Sequence, residues 1–182
     1  FGGNLSESMR GELRNVSFGE IFNLRPNAHA LVANVEVTLT RPKRLGESFE
    51  EAGLTWYFYN TGVPHLVTFV SDLNEFDAAL ASDLREKYNA NVNYALVQSR
   101  LASKILKVRT FERGVEAETL ACGTGMAACF IAGVENMRLA PDIRVIPASG
   151  ETLNLRLGDR GKIYFRGDVR HTFDGEFIGY VE

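Results

Sequence analysis

Glu118-Thr119-Leu120-Ala121-Cys122-Gly123-Thr124-Gly125-Met126-Ala127-Ala128, led by Phe111-Glu112-Arg113-Gly114, is the stretch from which the rest of the chain is read. A strand ends at Phe111, and a loop carries Glu112 and Arg113. Cys122 then stands before a glycine-flanked turn that opens an apolar helix predicted over 126–137. The first N–H groups of that helix have no partner within it and favour an anion. They favour a thiolate at Cys122 as well, since a cysteine at a helix N-terminus can fall well below its free pKa of about 8.5. Gly123 and Gly125 leave room for a ligand to approach the backbone. Such a turn suits a carboxylate-bearing substrate whose reacting carbon lies beside the sulfur. The plainer reading is that Cys122 is a small buried hydrophobe among alanines and glycines. Cys129, inside the apolar run, is read as core.

Upstream of this stretch the period of the sequence changes. Residues 33–40 alternate and stop at Pro42, as a half-buried strand does. Residues 54–59 and 65–70 read as strands joined by a Gly-Val-Pro turn. Residues 71–89 read as one helix, capped by Asp72, with Leu73, Phe76, Leu80, Leu84 and Tyr88 at helical spacing. Strands follow at 91–97 and 105–111. Downstream of the helix, 144–146, 152–157 and 162–165 form an antiparallel set, the last two joined by Gly158-Asp159-Arg160-Gly161. Many strands with two helices, and no regular β-α-β alternation, give an α+β fold with mostly antiparallel sheet.

Bulk properties narrow the function. At 182 residues the chain suits one domain or two small packed lobes. A net charge of −3, with Arg41-Pro42-Lys43-Arg44 read as a solvated turn, argues against nucleic acid. No stretch nears the roughly 20 apolar residues of a membrane span. Two cysteines about two helical turns apart, roughly 10 Å, cannot bridge, and point to a reducing cytoplasm. The aromatic strand Trp56 to Tyr59 reads as exposed and compatible with a homodimer face.

Glu-Arg-Gly at 112–114, Glu-Thr at 118–119 and Ala-Cys-Gly-Thr-Gly at 121–125 together resemble the second active-site signature of the diaminopimelate epimerases. Gly62-Val63-Pro64-His65 resembles the family's Gly-Asn-Pro-His element, with Val63 in place of Asn. Tyr88-Asn89-Ala90-Asn91-Val92-Asn93 resembles its Asn-bearing strand entry. The resemblance implies a two-lobed α+β fold of mostly antiparallel sheet wrapped around a central helix, here one complete lobe plus a remnant of the other. It implies an isomerase with neither pyridoxal phosphate nor metal, interconverting LL- and meso-diaminopimelate for lysine and peptidoglycan precursors. A thiolate takes the α-proton from one face and a thiol delivers one to the other, because a single group cannot do both.

By position, the resemblance makes Cys122 the second-lobe acid/base and His65 and Glu112 the groups that tune the cysteine pair. Gly123 and Thr124 would bind the α-carboxylate. Asn91, Glu112 and Arg113 would touch the distal end or the α-groups. Read without the resemblance, His65 is a turn histidine satisfied by backbone. Glu112–Arg113 is then a weak surface ion pair, and Asn91 makes local bonds. Val63 has no polar group to offer a substrate, so any contact the family's Asn makes is either lost here or supplied by Asn60 or Asn93.

The family's first cysteine sits in a Cys-Gly-Asn turn, and no cysteine precedes Cys122 here. Phe1-Gly2-Gly3-Asn4 echoes that turn with Gly2 at the sulfur's place, but the reading adopted is that the first lobe is largely absent. A start at Phe1 rather than Met points the same way, to a fragment, a processed product or a trimmed chain. Residues 1–44 are then a remnant of the first lobe, 45–170 the epimerase lobe, and 171–182 a segment returning to the first lobe. Two other readings stay open: a related isomerase acting on proline, hydroxyproline or an aromatic acid, and a non-catalytic paralogue.

Overall fold

A computed structural model describes residues 32–100 and 103–170. The Phe1–Asn4 turn and the 171–182 segment lie outside the described residues. Strands β1 (Val32–Leu39), β2 (Lys43–Arg44), β3 (Phe49–Glu51), β4 (Leu54–Asn60) and β5 (Pro64–Phe69) lead to helix α1 (Ala78–Tyr88). The long strands β6 (Asn91–Arg100) and β7 (Ser103–Glu112), then short β8 (Ala117–Thr119), lead to helix α2 (Gly123–Asn136). Strands β9 (Asp142–Ile146), β10 (Leu153–Leu157) and β11 (Ile163–Arg170) follow. The strands form one sheet in the order β1-β11-β10-β9-β7-β6-β5-β4-β2, with β3 on β4 and β8 on β7. Pairing is antiparallel except at β5–β6 and β7–β9, so the α+β reading holds and the sheet is mixed.

The sheet curls because one helix collects side chains from most of it. Tyr59, Val67, Ala95, Leu106, Ile143, Leu155 and Phe165 come from seven different strands, and all pack in one core with α2. Residues Gly125 to Gly133 of α2 are buried without a break. A helix apolar all round has to be enclosed, and the strands enclose it. On the opposite face α1 lays Ala81 and Leu84 on Trp56, Leu66, Val92, Tyr94 and Phe111. Side chains of this size contribute roughly 1.5–3 kcal/mol each when fully buried. The alternation along β4 therefore serves two cores, with Tyr57 and Tyr59 towards α2 and Trp56 and Phe58 towards α1.

Three expectations change. Residues 71–89 are not one helix. Asp72 and Glu75 make a capping box around a single 3-10 turn, Leu73–Glu75, and the chain then extends at Phe76 and Asp77. Asp77 starts α1, its carboxylate accepting from the N–H groups of Ala79 and Leu80. Two caps five residues apart cannot sit in one helix, since the second requires extended backbone. The aromatic strand is not an exposed face either: Trp56 is 0% and Tyr59 1% exposed. Finally, α2 begins at Gly123 rather than Met126, which makes Cys122 its N-cap residue.

Candidate active site at the start of helix α2

Register assembles the site. In the parallel pair β5–β6, His65 lies opposite Asn91 and Val67 opposite Asn93; in β6–β7, Asn93 lies opposite Thr110. Strand periodicity puts His65, Asn91, Asn93 and Thr110 on the α2 face, continuing the row that Ala95 and Val97 make apolar further along. All four are buried, at 0–4% exposure, and they lie beneath the first turn of α2. Gly125 makes the close approach feasible. A Cβ there would overlap Asn93 Oδ1 and stand 3.1 Å from Thr110 Oγ1.

A chain of polar contacts runs from the sheet to the sulfur. Thr110 donates to Asn93 Oδ1 at 2.9 Å, and Asn93 Nδ2 donates to the Leu66 carbonyl at 2.8 Å. The same Nδ2 lies 3.1 Å from His65 Nδ1, and His65 Nε2 lies 3.0 Å from Thr124 Oγ1. Thr124 Oγ1 is 3.6 Å from Cys122 Sγ. Asn91 Oδ1 accepts from the Arg113 N–H at 2.7 Å, so Asn91 ties the end of β7 to the site rather than bonding locally. Thr61 donates to the Thr124 carbonyl at 2.8 Å and pins the helix start from the side.

Cys122 is a free thiol, 7% exposed, and Cys129 is a free thiol sealed in the core. Burial pushes the Cys122 thiol up from its usual range, and the negative charge of Glu112 adds to this. The Thr124 hydroxyl and the N–H groups of Gly125 and Thr124 pull the other way without prevailing. The lowered pKa expected of a helix N-terminus is therefore not realised in this chain, because desolvation outweighs the helix-start donors. His65 is held neutral, its pKa lowered to about 3 by burial and then by the Arg113 charge.

Glu112 and Arg113 do not pair with each other. Arg113 Nη1 donates to the carbonyl and side-chain oxygens of Asn89, the left-handed residue that ends α1. Glu112 acts on Cys122 by charge, so Glu112→Gln should speed iodoacetamide labelling of Cys122 at pH 8 by roughly two- to threefold. Slower labelling would mean that the carboxylate assists ionisation instead. Of the two residues weighed as stand-ins at Val63, Asn93 is fully engaged inside the protein. Asn60 Oδ1 accepts from the Gly62 N–H within its own turn.

The structure thus brings together Cys122, Gly123, Thr124, His65 and Asn91, with Arg113 joined through its backbone. Thr61, Asn93 and Thr110 complete the site; Asn93 lies in the Asn-bearing segment that resembles the family's, whereas no sequence motif singles out Thr61 or Thr110. A groove of about 520 Å³, lined by Leu73, Arg109, Leu120 and Pro147 among others, includes neither Cys122 nor His65. Among the described residues no cluster of His, Cys, Asp or Glu is arranged to hold a metal ion. No described helix is long and apolar enough to cross a membrane.

The fold and site define a curled α+β lobe presenting a cysteine at the start of its enclosed helix. Comparison with known proteins agrees. The diaminopimelate epimerase family model matches residues 57–172, and the chain belongs to that family. It is 51% identical over 140 residues to a diaminopimelate epimerase of a Nitratiruptor species, covering 77% of this chain and 54% of the relative. To that of Campylobacter lari it is 48% identical, covering 79% of this chain and 56% of the relative. The chain therefore spans about half the length of these curated relatives. In fold it is similar to a predicted epimerase from Pseudomonas aeruginosa, with TM-score 0.56, 15% identity and coverage of 82% and 61% of the two chains. It is also similar to a hydroxyproline epimerase from Agrobacterium vitis, with TM-score 0.51, 12% identity and coverage of 81% and 55%.

Proposed function

We propose that this chain supplies one half of a two-base, cofactor-independent diaminopimelate epimerase, with Cys122 as the acid/base for one face of the α-carbon. The observation that carries the proposal is the placement of the sulfur and the helix-start N–H groups at one point, above a buried neutral histidine. The N–H groups of Gly123 and Thr124 would bind the α-carboxylate, since helix starts favour anions. That contact also takes up carbanion charge as the proton leaves. Asn91, Glu112 and Arg113 would border the substrate, with Arg113 offering its cation to a carboxylate. His65, from beneath the helix start, and Glu112 would set the proton affinity of the sulfur. Held as a thiol, Cys122 is the resting proton donor, and becomes the base after delivering its proton.

The same reading assigns residues 45–170 to the Cys122 lobe, and β1, which pairs with β11 along its length, adds a strand to the edge of that lobe's sheet. It places the reaction in lysine and cell-wall precursor synthesis, in the reducing cytoplasm that free thiols suit.

Inversion needs a second acid on the opposite face. Cys129 cannot serve, being fully buried in the body of α2. The 182-residue chain alone is therefore expected to leave LL-diaminopimelate in deuterium oxide uninverted; rapid appearance of the meso isomer would remove the two-base reading. Binding tests the substrate class separately. Millimolar diaminopimelate should protect Cys122 from iodoacetamide, whereas proline and hydroxyproline should not. Protection by the cyclic amino acids alone, or by none of the three, would overturn the assignment.

A further inference from the structure

Two buried amides press on His65, and only one of them can be satisfied by a neutral ring. The orientation of each amide is fixed by a partner with a single role. The Leu66 carbonyl can only accept, so the Asn93 atom facing it, at 2.8 Å, is the nitrogen. Thr110 donating to Oδ1 at 2.9 Å fixes the other end. The Arg113 backbone N–H can only donate, so the Asn91 atom facing it is the oxygen, which turns the Asn91 nitrogen towards the ring. Asn93 Nδ2 then lies 3.1 Å from Nδ1, and Asn91 Nδ2 lies 3.4 Å from Nε2.

A neutral imidazole has one acceptor nitrogen and one N–H. With the proton on Nδ1, that N–H would face the Asn93 N–H at 3.1 Å inside a fully buried site, a costly opposition of two donors. With the proton on Nε2, Nδ1 accepts from Asn93 and Nε2 donates to Thr124 Oγ1 at 3.0 Å. The Asn91 N–H then opposes Nε2–H at 3.4 Å, the longer and so the less costly of the two donor oppositions. Since the threonine oxygen receives the His65 proton, its own hydroxyl hydrogen is available for Cys122 Sγ at 3.6 Å.

We infer that Asn93 is a positioning residue for the proton-transfer sulfur: held by Thr110 and Leu66, it fixes His65 as the Nε2–H tautomer and so turns the Thr124 hydroxyl towards Cys122. Asn93 is 0% exposed, has His65, Leu66 and Thr110 as its partners, and reaches the sulfur only through two other side chains. The importance of this arrangement for turnover rests on the proposed two-base function. Its existence does not, and it is read out without substrate.

Nitrogen-15 correlation spectra of the native chain decide the tautomer directly, with the His65 signals identified by their loss in His65→Gln. Nδ1 is expected to be the unprotonated nitrogen and Nε2 the protonated one between pH 6 and 8; the reverse would overturn the inference. Asn93→Asp should exchange the two, because aspartate at that position accepts from Nδ1–H. Nε2 then becomes an acceptor that takes the Thr124 proton away from the sulfur. Loss of one hydrogen bond to a charged group amounts to about one pKa unit. Iodoacetamide labelling of Cys122 below its pKa should therefore slow about tenfold, with the whole pH–rate curve displaced upwards.

Thr124→Val should slow labelling to the same extent with the His65 tautomer unchanged. This variant, at a partly buried position, together with the native spectrum, decides the matter should Asn93→Asp not fold. A labelling profile unmoved by Thr124→Val, or by a demonstrated tautomer exchange, would sink the relay. Failure of diaminopimelate to protect Cys122, with these results intact, would count against the substrate and not against Asn93.

Discussion

Gly125→Ala is expected to destabilise the chain by about 2–3 kcal/mol, although alanine is normally the better helix former by roughly 0.5–1 kcal/mol. The added methyl would overlap Asn93 Oδ1 and stand 3.1 Å from Thr110 Oγ1 and 3.3 Å from Cys122 Cβ. None of these can retreat cheaply. Asn93 is 0% exposed and tied at both ends of its amide, and Thr110 is 3% exposed on the neighbouring strand. The alternative is for α2 to lift from the sheet, which pulls Thr124 away from His65 and breaks the 2.8 Å bond from Thr61 to the Thr124 carbonyl. Gly123→Ala is the control, since nothing lies within 4 Å of the Cβ it would add. It should leave the urea midpoint unchanged or slightly raised while weakening protection of Cys122 by diaminopimelate. If Gly125→Ala and Gly123→Ala unfold at the same urea concentration with equal m-values, the close packing of helix start on polar sheet is wrong.

That pair of glycines marks how far the sequence can be read. Both are legible as a turn into a helix beside a cysteine. Which one is packed and which one faces open space depends on a sheet register that no local pattern encodes. The long strands are legible because each serves a buried face, and alternation survives wherever one side is solvated or polar. Phe49–Glu51 and Ala117–Thr119 are not, since three residues carry no period. The break at Phe76 and Asp77 is hidden for a different reason. Leu73, Phe76, Leu80 and Leu84 keep helical spacing through it, so the apolar pattern speaks for one helix. The contrary signal is a second capping aspartate at position 77.

The site shows the same division. Cys122, His65 and Asn91 are legible through motifs. Asn93 carries a usable signal, a second asparagine two residues after Asn91 and so on the same strand face. Thr110 becomes visible only with the β6–β7 register. The proton affinity of Cys122 departs from its sequence-based expectation because the helix-start effect is local and readable, whereas burial is global and is not. Desolvation at 7% exposure wins over a favourable helix terminus.

The same competition predicts acid sensitivity centred on His65. Its folded pKa is about 3 against 6.5 when unfolded, because burial and the Arg113 charge oppose protonation. Between those values the unfolded chain binds a proton that the folded chain refuses, so stability must fall as pH falls. The contribution is fully present above about pH 6.5 and is lost progressively towards pH 3. A shift of this size corresponds to about 4–5 kcal/mol at the acid end, comparable with the whole stability of a small domain. Urea midpoints should therefore decline from pH 7 to pH 4 with most of the slope already present above pH 5, where few carboxylates titrate. His65→Gln cannot take up that proton. It should lower stability at pH 7, because the bonds to Asn93 and Thr124 are disturbed, yet give a nearly flat profile between pH 6.5 and 5. A native profile as flat as that of the glutamine variant would show that His65 accepts its proton in the folded state. That would remove both the neutral ring and the tautomer on which the approach to Cys122 depends.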